Sequence, residues 1–233
     1  GLKIMQLEKD WKQYPVIRLD MSLAGSTAQA IQSYLSDAFS AYESIYGITP
    51  LSTATLTVRF KNIVTTAFKK TGNKVAILID EYDSPLQHSW MTAEHTDCTD
   101  VYRNVFAVLK ACDEFEKFIF ITGITKFTQI SLFSVLNNLS NISFMPEYAA
   151  ICGITEEEIK ENFMPWLIQM GEANNWSAQE THDRLKAYYD GYHFSRRNMV
   201  DVYNPYSLVN ALKSKEIINF WASSGATSLI PKF

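Results

Sequence analysis

The sequence predicts an α/β protein, with a mostly parallel sheet flanked by helices over residues 1–150 and a helical part over 151–233. Three observations carry this expectation. Lys74 to Asp83, Lys-Val-Ala-Ile-Leu-Ile-Asp-Glu-Tyr-Asp, is an apolar run that stops abruptly in three carboxylates. Apolar on both faces and rich in β-branched residues, it reads as a fully buried parallel strand. Shorter apolar runs on either side of it alternate with segments of helical period, and beyond Gly153 helix-start signals replace them.

In chain order, residues 15–22 (Pro-Val-Ile-Arg-Leu-Asp-Met-Ser) read as a short strand after a lead-in around Trp11. A helix follows, with Ser26 as its cap, Ile31, Leu35, Ala38, Tyr42 and Ile45 at helical spacing, and Gly47 as its stop. After Pro50 a second helix is expected over about 53–71, with Leu56, Phe60, Ile63, Val64, Ala67 and Phe68 on one face and Gly72 at its end. The strand at 74–80 comes next. Residues 84–97 turn polar and irregular, as in a loop or short mobile helix, and a third helix spans about 99–113 with Val101, Val105, Val108 and Cys112 on a stripe. Residues 115–124 hold a second strand-length run ending in Thr122, Thr125 and Lys126. A helix over 127–138 and a short strand at Ile142-Ser143-Phe144 complete the first part. In the second part, Thr155–Glu158 and Ser177–Glu180 have capping-box spacing, and Asn204-Pro205 offers an N-cap followed by a first-turn proline.

Composition narrows the function classes. The 233 residues are 47% hydrophobic and 13% aromatic, enough for a large core, and 21 basic against 25 acidic residues give a net charge of −4. No dense basic cluster suggests a nucleic-acid or membrane footprint. Three scattered cysteines, Cys98, Cys112 and Cys152, suit a reducing compartment, and neither a membrane span nor a signal peptide is evident. The expectation is a cytoplasmic protein.

The acids at the end of the central strand are the strongest functional signal. Ligands of open α/β sheets bind outside the carboxyl ends of the strands, so Asp80 and Glu81 are placed to meet one. A solvated acidic turn is the ordinary alternative. Four hydrophobic residues followed by Asp-Glu are also the physical signature of the second acidic motif (Walker B) of P-loop ATPases. There the aspartate holds Mg²⁺ through its water shell, and the glutamate orients or deprotonates the attacking water. Other constellations are weaker. His88, His95 and Cys98 lack a fourth zinc ligand, and Glu158-Ile159-Lys160 has nuclease-like spacing but falls in a capped helix. Tyr188, Tyr189, Tyr192 and Phe194 suit packing better than base stacking, and Arg196-Arg197 suits a solvated turn better than an arginine finger.

Glu8-Lys9-Asp10-Trp11, Pro15 to Asp20, Ile79 to Asp83 with Pro85, Ile121 to Phe127, Tyr189 to Phe194 and Tyr203 to Ser207 occur together over nearly the whole chain. In this set and order the chain resembles the bacterial AAA-ATPase-like family, whose domain often precedes a PD-(D/E)XK nuclease-like domain. The resemblance implies a P-loop NTPase-like sheet, with Asp80 linked to Mg²⁺, Glu81 catalytic, and Thr122 and, more weakly, Lys126 facing the γ-phosphate of ATP. It gives Asp83 no role beyond holding the loop. The helical part is expected to be winged-helix-like from about 190.

One departure bears on function. No Gly-Lys dipeptide occurs, so no G-x-x-x-x-G-K-[ST] phosphate cradle is present. With Gly1 in place of an initiator methionine, the expectation is an N-terminally truncated fragment, inactive alone, of a protein that binds and hydrolyses ATP with Mg²⁺. The alternative is a non-hydrolysing regulatory or scaffold module for a nuclease-like effector domain in cis. A third reading uses Asp80, Glu81 and Asp83 as a metal site for phosphodiester cleavage. Nucleotide and the effector domain are the expected partners, a homo-oligomer is admitted, and membrane and nucleic acid are not indicated.

Overall fold

The computed structural model of the chain describes residues 4–124, 139–195, 197 and 200–220. The chain divides into two compact units, Gly1–Ser140 and Asn141–Phe233.

The first unit is built on three parallel strands in the order β1 (Val16–Asp20), β2 (Val75–Asp80), β3 (Glu116–Ile121). A short helix, α1 (Ile4–Leu7), precedes them. The crossover from β1 to β2 carries α2 (Ala28–Ile45) and α3 (Leu56–Thr71), and the one from β2 to β3 carries α4 (Ser84–Ser89) and α5 (His95–Ala111). Parallel neighbours need such long connections, which is why each pair of strands brackets helical sequence.

Register fixes which side chains share a face. Ile17 pairs with Ile77 and Ile77 with Ile119, whereas Val16 aligns with Ala76 and Phe118 on the other face. Ile17, Leu19, Val75, Ile77 and Ile79 join a core with Ile31, Leu35 and Phe39 of α2, Phe60, Ile63 and Val64 of α3, and Tyr102, Val105 and Leu109 of α5. Phe39 and Phe60 stack at 5.1 Å. Each large side chain buried here contributes roughly 1.5–3 kcal/mol. The opposite face leaves Val16, Phe118 and Phe120 exposed. β2 therefore alternates between buried and part-buried residues, where the sequence suggested burial on both faces.

The outer edge of β1 is closed by side chains. The Tyr42 hydroxyl accepts from the Arg18 amide (2.7 Å) and donates to its carbonyl (3.1 Å), and the Tyr34 hydroxyl accepts from the Asp20 amide (2.9 Å). Backbone groups that would otherwise invite another strand are thus satisfied by α2. α2 is tied in turn to α3 by Arg59, whose Nε and Nη2 donate to the Glu43 carboxylate at 2.8 and 2.6 Å.

Local signals explain most helix limits. Thr55 caps α3 by accepting from the Val58 amide, and Gly72 ends it with φ +67, its amide donating to Phe68 O. Four expectations need correction. The cap of α2 is Thr27, which accepts from the Ala30 amide, not Ser26, because Thr27 is the extended residue directly before the first helical residue, Ala28. Residues 84–97 hold a short helix, one of the two alternatives expected there, α4 with Pro85 in its first turn, but α5 begins at His95, earlier than expected, where the Asp97 carboxylate in its first turn complements the helix dipole. The second strand is confined to Glu116–Ile121. Ile142-Ser143-Phe144 is a turn, not a strand, since Asn141 Oδ1 accepts from the Ser143 amide and Ile142 O from the Met145 amide. The helix expected over 127–138 lies outside the described residues.

The second unit is mainly helical: α6 (Glu156–Asn162), α7 (Met164–Asn174), α8 (Ala178–Tyr189) and α9 (Pro205–Ser214), with an antiparallel pair β4 (Ile154–Thr155) and β5 (Val202–Tyr203). Thr155 and Glu158 form the full capping box. At Ser177 the hydroxyl half is present, while the Glu180 side chain turns to Arg184. Asn204 caps α9 with Pro205 in its first turn. Its core gathers Ile159, Leu167, Met170, Leu185, Tyr189, Tyr203 and Leu208. No helix among the described residues is long and apolar enough to cross a membrane.

Candidate functional site

The carboxyl end of the sheet collects the polar side chains that the strands deliver. Asp80 is the last residue of β2 and is in register with Asp20, the last of β1. One residue beyond the last strand pair, Thr122 keeps the ladder going: its amide donates to Ile79 O (2.9 Å), and its carbonyl accepts from the Tyr82 amide (3.0 Å). This places the Thr122 hydroxyl against Asp80, to whose Oδ1 it donates a short hydrogen bond. The Glu81 amide lies 3.2 Å from both Asp80 Oδ1 and Thr122 Oγ1. Asp80, Glu81 and Thr122 are thus brought together.

The pinned amide has a backbone consequence. Glu81 sits at φ +45, a left-handed conformation that costs a residue with a Cβ about 1 kcal/mol. The kink turns the chain out of the strand and leaves Glu81 exposed, while Tyr82 and Asp83 turn inward to 7% and 1% exposure. Asp83 Oδ2 accepts from Gln87 Nε2 at 2.6 Å, and its carbonyl accepts from the Gln87 amide, which fastens the first turn of α4. Gly123 makes this fit possible. A Cβ there would stand 2.5 Å from Asp83 Oδ1 and 2.6 Å from the Tyr82 ring. Nearby, the Tyr102 hydroxyl is buried without a hydrogen-bond partner, and burial pushes its phenol well above the usual range.

Two residues of β1 belong to this end of the sheet and were not singled out by the sequence. Asp20 accepts at Oδ1 from the Ser22 amide (3.2 Å) and hydroxyl (2.6 Å). Arg18 reaches across to Asp80, its Nη2 lying 3.7 Å from Oδ2. The available signal was that β1 and β2 both end hydrophobic-Asp; the register that pairs them is not written in either segment. Lys126, the weaker phosphate-facing candidate, lies outside the described residues.

The remaining candidates find other duties. His88 Nδ1 meets Ser84 O, His95 Nδ1 meets Ser89 Oγ, and Cys98 Sγ donates to Ser26 O. Among the described residues no group of three or more His, Cys, Asp or Glu side chains could hold a metal ion. Glu158 and Lys160 lie on α6, as the capping signal requires. Tyr189 is buried, Tyr188 and Tyr192 are exposed, Arg197 is exposed, and Arg196 lies outside the described residues.

The second unit holds its own charged cluster. Glu156 accepts from the Tyr203 hydroxyl (2.8 Å) and faces His182 Nε2 (3.0 Å), Lys160 (3.2 Å) and Lys186 (3.7 Å). Burial alone would raise its carboxyl, but these donors and cations outweigh it and bring it down to about 2. Through Glu156, His182 and Lys186 of α8 and Tyr203 of β5 are tied to α6, which suits a clamp for the unit. A shallow depression along α8 is lined by Ser177, Gln179, Glu180, Asp183, Arg184 and Ala187, with the Arg184 guanidinium 4.4 Å from the Trp176 ring.

Comparison with known proteins bears on the first unit. A family described as Predicted AAA-ATPase matches residues 1–133. An uncharacterized protein in the vnfD 5′ region of Azotobacter chroococcum mcd 1 is 29% identical over 226 residues, which are 95% of this chain and 41% of that protein. The chain therefore spans less than half the length of this curated relative. No solved structure matches.

Proposed function

From the premise that this chain belongs to the predicted AAA-ATPase family, we propose that the carboxyl end of its sheet is the metal-facing half of an ATP site in the full-length protein. The observation that carries this reading is Asp80, aimed by the Thr122 hydroxyl and the Glu81 amide at the end of the central parallel strand.

The donor set suits Mg²⁺. Asp80, with Asp20 beside it in register, offers hard carboxylate oxygens, and among the described residues no cage of three or more protein ligands surrounds them. Mg²⁺ favours such sites, in which one or two carboxylates share it with water and substrate phosphates. When bound, the ion would neutralise charge developing on the phosphates. Asp80 would hold the ion's shell, and Thr122 would fix the carboxylate rotamer and sense the γ-phosphate. Exposed Glu81 would orient a water and take its proton. Lys126 is proposed to reach the phosphates from the segment after β3. These 233 residues hold no G-x-x-x-x-G-K-[ST] phosphate cradle; in this reading the full-length protein would supply it from another segment. For the second unit, the β4–β5 pair beside α6 and α8 supports a winged-helix-like arrangement, with a nuclease-like effector domain as its partner in cis.

ATP turnover by the full-length protein with Glu81→Gln tests the reading. Turnover should fall by about 10²-fold or more while ATP binding persists. Turnover equal to wild type would show that Glu81 has no such role. Wild-type protein that binds Mg-ATP without hydrolysing it would establish the regulatory or scaffold module instead.

A further inference from the structure

Resting on the reading of Asp80 as the metal-facing carboxylate, we propose that Arg18 competes for that position: its guanidinium covers the Asp80 oxygen a divalent cation would approach, and cation entry displaces it. The two oxygens of Asp80 have different duties. Oδ1 is committed to the Thr122 hydroxyl and the Glu81 amide. Oδ2 is the atom left to meet a cation, and Arg18 Nη2 stands 3.7 Å from it.

The placement is built into the sheet. Arg18 lies opposite Leu78 in the β1–β2 register, so its side chain reaches diagonally along the same face to Asp80, two residues on. Its backbone is clamped on both polar groups by the Tyr42 hydroxyl, so the guanidinium swings from a fixed anchor. Asp20, closer along the chain, has its Oδ1 engaged by Ser22.

The pair is also of a kind that can let go. Its side chains are 63% and 46% exposed, and exposed ion pairs hold only weakly. The same protein shows the contrasting design in Arg59–Glu43, a 2.6 Å pair at 12% and 4% exposure, where separation would strand buried charge. A weak resident counter-ion keeps Asp80 compensated until a stronger cation arrives. The arrangement thus raises the metal concentration needed to load the site.

Mn²⁺, read by the electron paramagnetic resonance of the free ion, is a direct probe of this competition in the 233-residue chain. Wild type, Arg18→Gln, Asp80→Asn and the double variant are titrated, with circular dichroism confirming that each retains its fold. Arg18→Gln should bind Mn²⁺ about two- to fivefold more tightly than wild type, the range set by a weak exposed pair. The gain should vanish in the Asp80→Asn background. Equal or weaker binding by Arg18→Gln, with Asp80→Asn still losing affinity, overturns the competition and leaves the role of Asp80 standing. Binding that Asp80→Asn does not change removes the Asp80 reading and this inference with it, and no Mn²⁺ binding by any variant overturns the inference alone.

Discussion

Glu116→Gln should abolish a specific pH dependence of stability. Glu116 opens β3 opposite Val75, is 8% exposed, and has both carboxylate oxygens buried without a hydrogen-bond partner. Burial raises its carboxyl from 4.5 to about 8, the negative charge of Asp113 adds to the effect, and Lys74 opposes it. The folded protein therefore holds a proton on Glu116 across a range in which the unfolded chain has released it. The contribution is fully present below about pH 4.5 and is lost progressively as pH rises toward 8. At ~1.4 kcal/mol per unit the full shift would amount to about 5 kcal/mol. Local opening at the strand start limits the realised loss to about 2–3 kcal/mol, because the chain can release that turn and leave the rest folded. The ladder already shifts register there, between Val75 and Ala76. Urea unfolding followed by circular dichroism, at about pH 4 and about pH 9, reads the difference between variant and wild type, in which all other titrations cancel. The two proteins should be equally stable at the lower pH, and the glutamine variant should be more stable at the higher one. A difference that is the same at both pH values would refute the reasoning.

Two further perturbations address the scaffold. Glu43→Ala should cost about 3–5 kcal/mol, because it leaves the buried Arg59 guanidinium without its carboxylate. Replacing both partners by leucine should cost much less than the two single changes together, and a double-mutant cycle in urea reads the coupling; additive losses would contradict it. Gly123→Ala should destabilise by about 1–3 kcal/mol through overlap with Tyr82 and Asp83. Gly72→Ala, with φ +67 and no atom within 4 Å of the added Cβ, should cost about 1 kcal/mol from backbone strain alone. Thermal unfolding ranks the two, and the reverse order would show that the contact at Gly123 is not decisive.

Much of the fold was legible because the deciding forces were local. The apolar run at 75–79, the stripe Phe60-Ile63-Val64-Ala67, Gly72 after the last turn of α3, the Thr155–Glu158 box and Asn204-Pro205 each state their element within a few residues. Where several local answers competed, the wrong one could be chosen. Ser26 and Thr27 are adjacent hydroxyls, and the first amides of α2 selected the second. Ile142-Ser143-Phe144 has strand composition, but Asn141 supplies a side-chain acceptor that makes a turn.

By itself, the sequence determined that a strand ends at Asp80 with Glu81 just beyond it and that Thr122 follows another, since hydrophobic period and a sudden change to polar residues are properties of one segment. Tertiary structure alone decided what those groups touch. The parallel register sets Asp20 beside Asp80 and sends Arg18 diagonally to its free oxygen. The crossover through α5 brings Thr122 to the other oxygen from 42 residues away, and α2 returns Tyr34 and Tyr42 to seal the edge of β1. Periodicity specifies the face a residue occupies; the neighbour it meets there depends on how separate strands slide past one another, which the packing of the whole core settles.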